Sequence, residues 1–398
     1  MRYGVNYIPS KRWLHSWLDF DEGSIREDLL AIRSLGFDHI RAHLLWSYFQ
    51  IGPGELSRES MRHLERFALL CGETGLDFVL SLFTGWMSGF YFIPAWMRFG
   101  QDFAMFSDPA RRESQRFYIR KIAQAVAGSP AFLGFDLGNE LSCVVGRDRA
   151  YSPEIADDWH RDMLRVCEEA APGKLHGSGV DHQPWFSGFS FSRETLSNTG
   201  RVSAIHAWTY FTGAVKRPGG LLGVSSIHLP EYMAALAQAY SRDPHRPVWL
   251  QEFGCSRLWC AEEKDSVEAF TDRTLDAARD IPDLWGITWW CSHDIRREFS
   301  GFDELEYDLG LLDPDNRAKP AGELFAKKIA EARKDPPSPA PRRAAMIYRP
   351  EEDRSDFWGN ADRFMKLVEA GVRPRIVLPE HAHDPAWLSA RGIGEIVE

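Results

Sequence analysis

The chain has 398 residues, is 44% hydrophobic and 26% charged, and carries a formal net charge of −10. This balance suits a globular protein with a large core, organised as one large domain or two smaller ones. The acidic excess argues against nucleic-acid or anionic-membrane partners, which need clustered Lys and Arg. The opening MRYGVNYIPS is strand-like, not a basic segment followed by an apolar one, and no apolar run is long enough to span a bilayer. A cytoplasmic location is therefore expected. Six cysteines, at 71, 143, 167, 255, 260 and 291, form no CxxC pair, so reduced thiols are expected and a disulfide framework or zinc site is not. No metal or cofactor is expected.

Eight segments have strand patterning: 2–8, 38–45, 77–85, 132–138, 174–180, 202–208, 247–254 and 285–291. Helical segments separate them. The first is marked by Ser24 and Glu27 as a capping box, with Ile25, Leu29, Ile32 and Leu35 following at helical spacing up to Gly36. Others are SMRHLERFALLCGETG, PEYMAALAQAYS and PAGELFAKKIAEARK. Strands alternating with helices imply parallel pairing through right-handed crossovers. Eight such units in about 330 residues fit an α/β fold closed as a (β/α)8 TIM barrel. An open doubly wound sheet is the alternative, but GxGxxG and GxxxxGK are both absent. The stretches 86–115 and 141–160 read as aromatic-rich loop insertions at the active face. Beyond the barrel (1–334), DPPSPAPRR (335–343) reads as a Pro-rich linker. Residues 344–398 read as a small α/β appendage with strand candidates in AAMIYR, RIVLPE and IGEIVE and a helix in DFWGNADRFMKLVEAG. It has too little apolar surface to stand alone, so it packs on the barrel or on a neighbouring subunit, which leaves a homo-oligomer open.

In a barrel the chemistry sits at the C-terminal strand ends. LGFDLGNEL puts Glu140 at the end of the fourth candidate strand, and VWLQEFG puts Glu252 at the end of the seventh. Singly, each is most simply a solvated strand-end acid. Together they face each other across a barrel mouth, which is what glycosidic bond cleavage needs: one carboxyl protonates the departing oxygen, and the other attacks the anomeric carbon or activates water. A separation of about 5 to 5.5 Å would make the enzyme retaining; roughly 6.5 to 9.5 Å would make it inverting.

FDLGNEL resembles the acid/base strand, and WLQEFG the nucleophile strand, of the retaining glycoside hydrolases of clan A. GVNYIPSKRW, the Arg of DHIRAHLLW and GLLDPDNRAKPAG extend the likeness over residues 1 to about 330. The chain is most similar to glycoside hydrolase family 5, in particular subfamily 18, whose members resemble intracellular β-mannosidases. The resemblance implies Glu140 as general acid/base, Glu252 as nucleophile and Asn139 as a donor to the sugar 2-hydroxyl. It places Arg41 beneath the nucleophile, His206 near the acid/base and Trp290 as the platform under the sugar, with Trp289 as the alternative if the strand faces are swapped. The family's usual tyrosine two residues after the histidine is here Trp208, so a tyrosine donor to the nucleophile must come from Tyr210 or be missing.

Other candidates have bland readings of equal or greater weight. Arg41 and His206 can be structural core groups, and Asn6 can be a loop cap. Trp249 and Trp285 read as core. Trp86, Phe90, Tyr91, Phe92 and Trp96 either wall a deep, short pocket or pack a loop on the rim. His293 and Asp294 either reach a sugar hydroxyl or stabilise a loop. HAH at 381–383 reads as solvated histidines, and Glu262-Glu263 and Glu351-Glu352-Asp353 as solvated acidic faces. The function expected is a retaining exo-β-glycosidase, β-mannosidase first, acting on a small oligosaccharide such as mannosyl-β-1,4-N-acetylglucosamine. An endo-acting mannanase or glucanase of the same clan is the alternative, and a non-catalytic sugar-binding barrel is the alternative of another class.

Overall fold

The strand His39–Leu45 is buried at every one of its seven positions. A strand reads that way when helices cover one face and a filled interior the other. In the computed structural model, which describes residues 1–99, 102–261, 266–355 and 357–397, seven such strands form one parallel sheet. Its order is Phe132–Asp136, Asp77–Thr84, His39–Leu45, Arg2–Tyr7, Leu284–Trp289, Val248–Glu252, Ser203–His206. The first strand pairs with both the second and the last, Asn6 opposite Arg41 and Val5 opposite Trp289. That pairing curls the sheet on itself, and the fold is a (β/α)8 barrel. The acidic pair Glu262-Glu263 lies outside the described residues.

The fifth expected strand, 174–180, is not a strand of this sheet. It bonds in series on one side: Leu175 N–H donates to Leu133 O (2.7 Å), Gly177 N–H to Phe135 O (2.9 Å), and Leu137 N–H to Gly177 O (3.0 Å). Gly134 lets it come that close, since a Cβ there would lie 1.8 Å from the Leu175 carbonyl oxygen. On the other side Arg201 N–H reaches His176 O, ahead of the next strand's own ladder. The segment fills the gap in the barrel wall as extended chain, because two glycines in LHGSGV weaken a regular ladder.

Helix starts follow their caps. The first helix runs Glu22–Ser34 and is capped by Asp21, whose carboxylate accepts from Ser24 N–H; Ser24 lies inside the first turn and is not the cap. Arg58–Thr74 starts after Ser57 and stops at Gly75 in the left-handed region. The expected loop insertions are shorter than the stretches suggested. Asp108-Pro109 opens the helix Pro109–Val126 and Ser152-Pro153 opens Pro153–Ala170, each with the acid or hydroxyl as N-cap and proline in the first turn.

Beyond Lys334 the chain is extended to a three-stranded parallel sheet, ordered Arg375–Val377, Ala344–Ile347, Glu395–Val397. The helix expected over DFWGNADRFMKLVEAG begins only at Gly359, after a separate turn of helix at Pro350–Ser355. This unit covers the outer face of the barrel helix Leu229–Ala239, all eleven of whose residues are buried. Met346, Tyr348, Trp358, Phe364 and Ile376 join the barrel's own core. Asp353 is not a solvated acid: it accepts from Asn360 (2.7 Å), Arg193 (3.3 Å) and Tyr348.

Glu231, on the covered helix, is 1% exposed. Arg342 (2.8 Å), His228 (2.7 Å) and Arg373 surround it. Burial alone would raise its pKa, but His228 and the two arginines lower it. Removing one partner of a buried ion pair costs about 3 to 5 kcal/mol. Glu231→Gln should lower the unfolding free energy by roughly that amount at pH 7 in a denaturant titration. A depressed carboxyl stabilises above its unfolded value, so the gap from wild type should close only as the pH falls below the ordinary 4.5.

Candidate active site

The strand Phe132–Asp136 runs out at Gly138, and the next two residues enter the barrel mouth. Glu140 has φ +45°, in the left-handed region that a non-glycine residue seldom occupies. A backbone held there costs on the order of 1 to 3 kcal/mol and persists only where the surroundings over-determine it. Its carboxyl is therefore aimed, where a solvated strand-end acid would be free to relax.

Arg41 organises the floor of the mouth. It is 0% exposed. Its NH1 donates to Glu252 Oε1 (2.5 Å) and to Asn6 Oδ1 (3.0 Å), its NH2 to Asn139 Oδ1 (3.0 Å), and its Nε to Asp136 Oδ2 (2.9 Å). Asn6 in turn donates to the carbonyls of Gln251 (3.0 Å) and Trp289 (3.2 Å), so it ties the first strand to the two before Glu252 and Trp290. Asp136 is a functional neighbour that sequence reasoning missed. It also accepts from Ser81 and from Gly179 N–H. Gly179 must be glycine, because a Cβ would sit 2.7 Å from the Arg41 guanidinium. The one available signal for Asp136 was charge: a buried guanidinium on a strand needs an anion inside the barrel.

The other Glu252 oxygen, Oε2, accepts from Trp208 Nε1 (3.2 Å) and lies 3.3 Å from His206 Nδ1. The same Nδ1 is 3.2 Å from Glu140 Oε1, and His206 Nε2 meets Gln251 Oε1 at 2.9 Å. Oxygens of Glu140 and Glu252 thus fall within 4.8 Å of each other. Burial raises the Glu140 pKa, and the neighbouring Glu252 adds to the rise, against the hydrogen bond from His206. Burial disfavours the charged imidazole of His206, yet Glu252 and then Glu140 outweigh it, and its pKa is raised. One carboxyl is thus set to hold a proton beside another that receives only N–H donors.

These groups open into a cavity of about 300 Å³. That is the size of a small-ligand site, with room for a short saccharide. Trp290 and Trp86 line it, as do Asn139, Glu140, Trp208 and Glu252. Trp290 is held from below by the edge of His43, at 5.5 Å. The rest of the wall includes residues that sequence reasoning missed: Cys143, Asp181, His182, Phe211, Ser88, Asp303, Leu305 and Glu306. They come from loops with no periodic signal. Ser88 Oγ donates to Glu306 Oε2 (2.9 Å), a bridge between the loop after the third strand and the loop after the last. Burial, and the negative charges of Glu140 and Glu252, raise the Glu306 pKa to about 7.

Several expected site residues lie elsewhere. Trp289 faces outward; its Nε1 donates to Leu309 O and its ring packs on Phe253 and Phe325. Tyr210 is 46% exposed and stacks on Trp259, so the donor to Glu252 is Trp208 and no tyrosine. His293 is buried against Ile8 O and Asn316, and Asp294 is paired with Lys319 (2.7 Å); both brace the loop after the last strand. Arg41 and His206 sit behind the cavity wall rather than in it. Of the five loop aromatics only Trp86 lines the cavity. Phe90 packs on Phe302, Phe92 on Trp13 and Tyr48, Tyr91 under Arg147, and Trp96 bonds Gln50 O. Trp249 and Trp285 pack edge to face in the barrel interior, and His381 stacks on Trp387.

Glu140, His206 and Glu252 offer three ligand atoms at a spacing a cation can use. Both oxygens of Glu252 already face N–H donors, however, and one of these is the Arg41 cation. The cluster is charge-compensated by its own residues. Cys71, Cys143, Cys167 and Cys291 are free thiols, and no helix among the described residues is long and apolar enough to cross a membrane.

No family profile and no curated protein matches the chain by sequence. Solved structures do. A GH5 subfamily 18 protein from Streptomyces cattleya, crystallised with Manβ1-4GlcNAc, is 38% identical over 100% of this chain and 98% of its own, at a TM-score of 0.93. A GH5 subfamily 18 protein from Bifidobacterium longum subsp. longum ATCC 55813 is 32% identical over 100% and 96%, at 0.92. The exo-β-1,4-mannosidase Op5Man5 from Opitutaceae bacterium strain TAV5 is 26% identical over 95% and 69%, at 0.79. With its strand-end carboxylates converging on one cavity and this likeness running the length of the chain, the protein belongs to glycoside hydrolase family 5, subfamily 18.

Proposed function

We propose that the protein is a retaining exo-β-mannosidase that releases mannose from short β-mannosides such as Manβ1-4GlcNAc. The observation that carries this reading is the 4.8 Å limit on the Glu140–Glu252 oxygen pair, near the 5 to 5.5 Å of double displacement and well short of the inverting range. The disaccharide is the one bound by the subfamily 18 relatives.

In this reaction Glu252 attacks the anomeric carbon and forms the glycosyl-enzyme. Arg41 and Trp208 orient its two oxygens, one each. Glu140, kept protonated by burial and by Glu252, gives its proton to the departing oxygen. Once Glu252 is esterified its charge is gone, the Glu140 pKa falls, and Glu140 takes a proton from water for the second displacement. Asn139 is fixed by Arg41 on its oxygen and Trp86 O on its nitrogen, which leaves one amide hydrogen for the sugar 2-hydroxyl. Trp290 stacks beneath the ring. The Ser88–Glu306 bridge joins two loops over the cavity and favours a closed pocket over an open cleft, hence exo over endo action.

Glu252→Ala should abolish turnover of p-nitrophenyl β-mannoside, and azide should restore part of it as the α-mannosyl azide, identified by NMR. Glu140→Ala should lose most on Manβ1-4GlcNAc and least on aryl mannosides with good leaving groups, in a comparison of kcat/KM. Equal losses on both would remove Glu140 as the proton donor.

The pH profile follows from the same charges. Activity needs Glu140 protonated, so kcat/KM should fall as pH rises through its elevated pKa. Glu306, with a pKa of about 7, adds a negative charge above neutrality. Glu306→Gln removes that charge and should move the basic limb of kcat/KM to lower pH. A limb unmoved by this substitution would show that Glu306 does not feel the catalytic pair.

A further inference from the structure

Residues 357 and 358, in the appendage, touch the catalytic pocket's outer wall from behind. Trp358 is 5% exposed, and its Nε1 donates to the Thr212 carbonyl at 2.7 Å. Thr212 closes the turn that begins at Trp208: its N–H and its Oγ1 both bond Trp208 O, at 3.1 and 2.8 Å. The indole of Trp208 is the donor to Glu252. Phe357 stacks on Phe186 at 4.9 Å and meets His182 edge-on at 6.1 Å, and His182 lines the cavity. Arg217, at the far end of the same turn, lies over the Trp358 ring at 5.2 Å and pairs with Asp362. Two loops of the barrel mouth, 181–186 and 208–217, are thus held by one appendage corner.

We propose that Trp358 is a positioning residue for the glycosidase reaction, fixing the 208–212 turn so that the Trp208 indole reaches Glu252. The proposal rests on the reading of Glu252 as nucleophile. The other groups around Glu252 are carried by the barrel's own elements. Arg41 comes from the second strand, His206 from the strand Ser203–His206, and Glu140 from the turn after Asp136. The Trp208 indole comes from a turn just past its strand, where Ala207 N–H still bonds Glu252 O at 2.8 Å. The tip of this turn is exposed at Tyr210 and Phe211, and such a tip opens at low cost unless something packs behind it. Here the Trp358 N–H bond to Thr212, the Arg217 guanidinium over the same indole and the stack of Tyr210 on Trp259 do so.

The test is a double-mutant cycle in the full chain. Trp358→Phe keeps a ring and removes the N–H. Trp208→Phe removes the donor on Glu252 directly. For Trp358→Phe, kcat/KM on p-nitrophenyl β-mannoside should fall about 2- to 12-fold, the range for loss of one hydrogen bond. The acid limb of kcat/KM should move to higher pH, because a carboxylate with one donor fewer is more basic. In the double variant the effects should not add: it should be no slower than Trp208→Phe alone. Wild-type constants and limb in Trp358→Phe would overturn the proposal, as would a double variant whose loss equals the product of the single ones. Thermal melts establish that each variant is folded. Should Trp358→Phe not fold, Asp362→Asn, which loosens Arg217 over the same indole, takes its place in the cycle with the same outcomes. Azide rescue of Glu252→Ala separates the two layers. No rescue ends the glycosidase reading, whereas rescue with a silent Trp358 variant ends only this proposal.

Discussion

A guanidinium with no solvent contact, at the floor of the barrel mouth, is the constraint around which the site is arranged. Arg41 is too deep for water to compensate its charge, and a buried cation left unpaired is strongly destabilising. It is met by two carboxylates from opposite parts of the sheet. Asp136 is spent entirely on structure: its oxygens are taken by Arg41, Ser81 and Gly179. Glu252 gives one oxygen to Arg41 and turns the other toward the cavity. The same interaction thus secures the fold and presents a carboxylate to a ligand. Asn6 and Asn139 fill the remaining N–H groups of the fork, so the guanidinium also fixes the first strand and the residue beside Glu140.

Above this floor the arrangement is a question of where one proton rests. Glu140 and His206 share a contact at 3.2 Å and both have raised pKa values, each partly because Glu252 is near. Their protonation is coupled through that carboxylate, and the apparent titrations belong to the group rather than to either residue. In the proposed reaction, loss of the Glu252 charge on forming the ester loosens the hold on the proton at both sites together. Glu306 adds a third acid on the far wall. A small cavity lined by five carboxyl side chains, Glu140, Asp181, Glu252, Asp303 and Glu306, is a poor place for an anion, and a good one for a neutral sugar whose transition state carries positive charge.

The barrel and the two catalytic candidates were legible because strand ends at one face are where a barrel places chemistry, and the strands were marked by apolar patterning. What joins them was not. Arg41 and Glu252 are 211 positions apart, and no local pattern pairs them. The adjacent Trp289 and Trp290 show the limit of strand periodicity. Alternation says that they face opposite ways, but only packing against Phe325 and Phe253 tells which one is outside. The segment 174–180 carried a strand-like composition yet bonds in series on one side and by the Arg201 N–H on the other, since glycine permits the approach to the fourth strand without supporting a second ladder. His182, Phe211 and Glu306 were invisible because a loop's sequence carries no period from which to read a direction. Asp353 looked like one acid in a solvated run, and a distant Arg193 makes it part of a buried network.

The donor to Glu252 links these points. Where the family resemblance calls for a tyrosine, the chain has Trp208, and the structure gives the hydrogen bond to its indole. A phenol both donates and accepts and can lose its proton; an indole N–H only donates. The substitution keeps a donor on the carboxylate in every protonation state of the site, but the indole N–H sits on the ring nearer the backbone, where a phenol carries its hydroxyl at the far tip. A shorter reach ties the same 3.2 Å contact closely to where the backbone is placed. The 208–212 turn gains that accuracy from Thr212, whose two bonds to Trp208 O close it, and from Trp358, which caps the Thr212 carbonyl from outside the barrel. The appendage, which holds a small cluster of its own at Ala345, Val377 and Ile393, thus reaches through Trp358 the turn that carries the indole donor to Glu252.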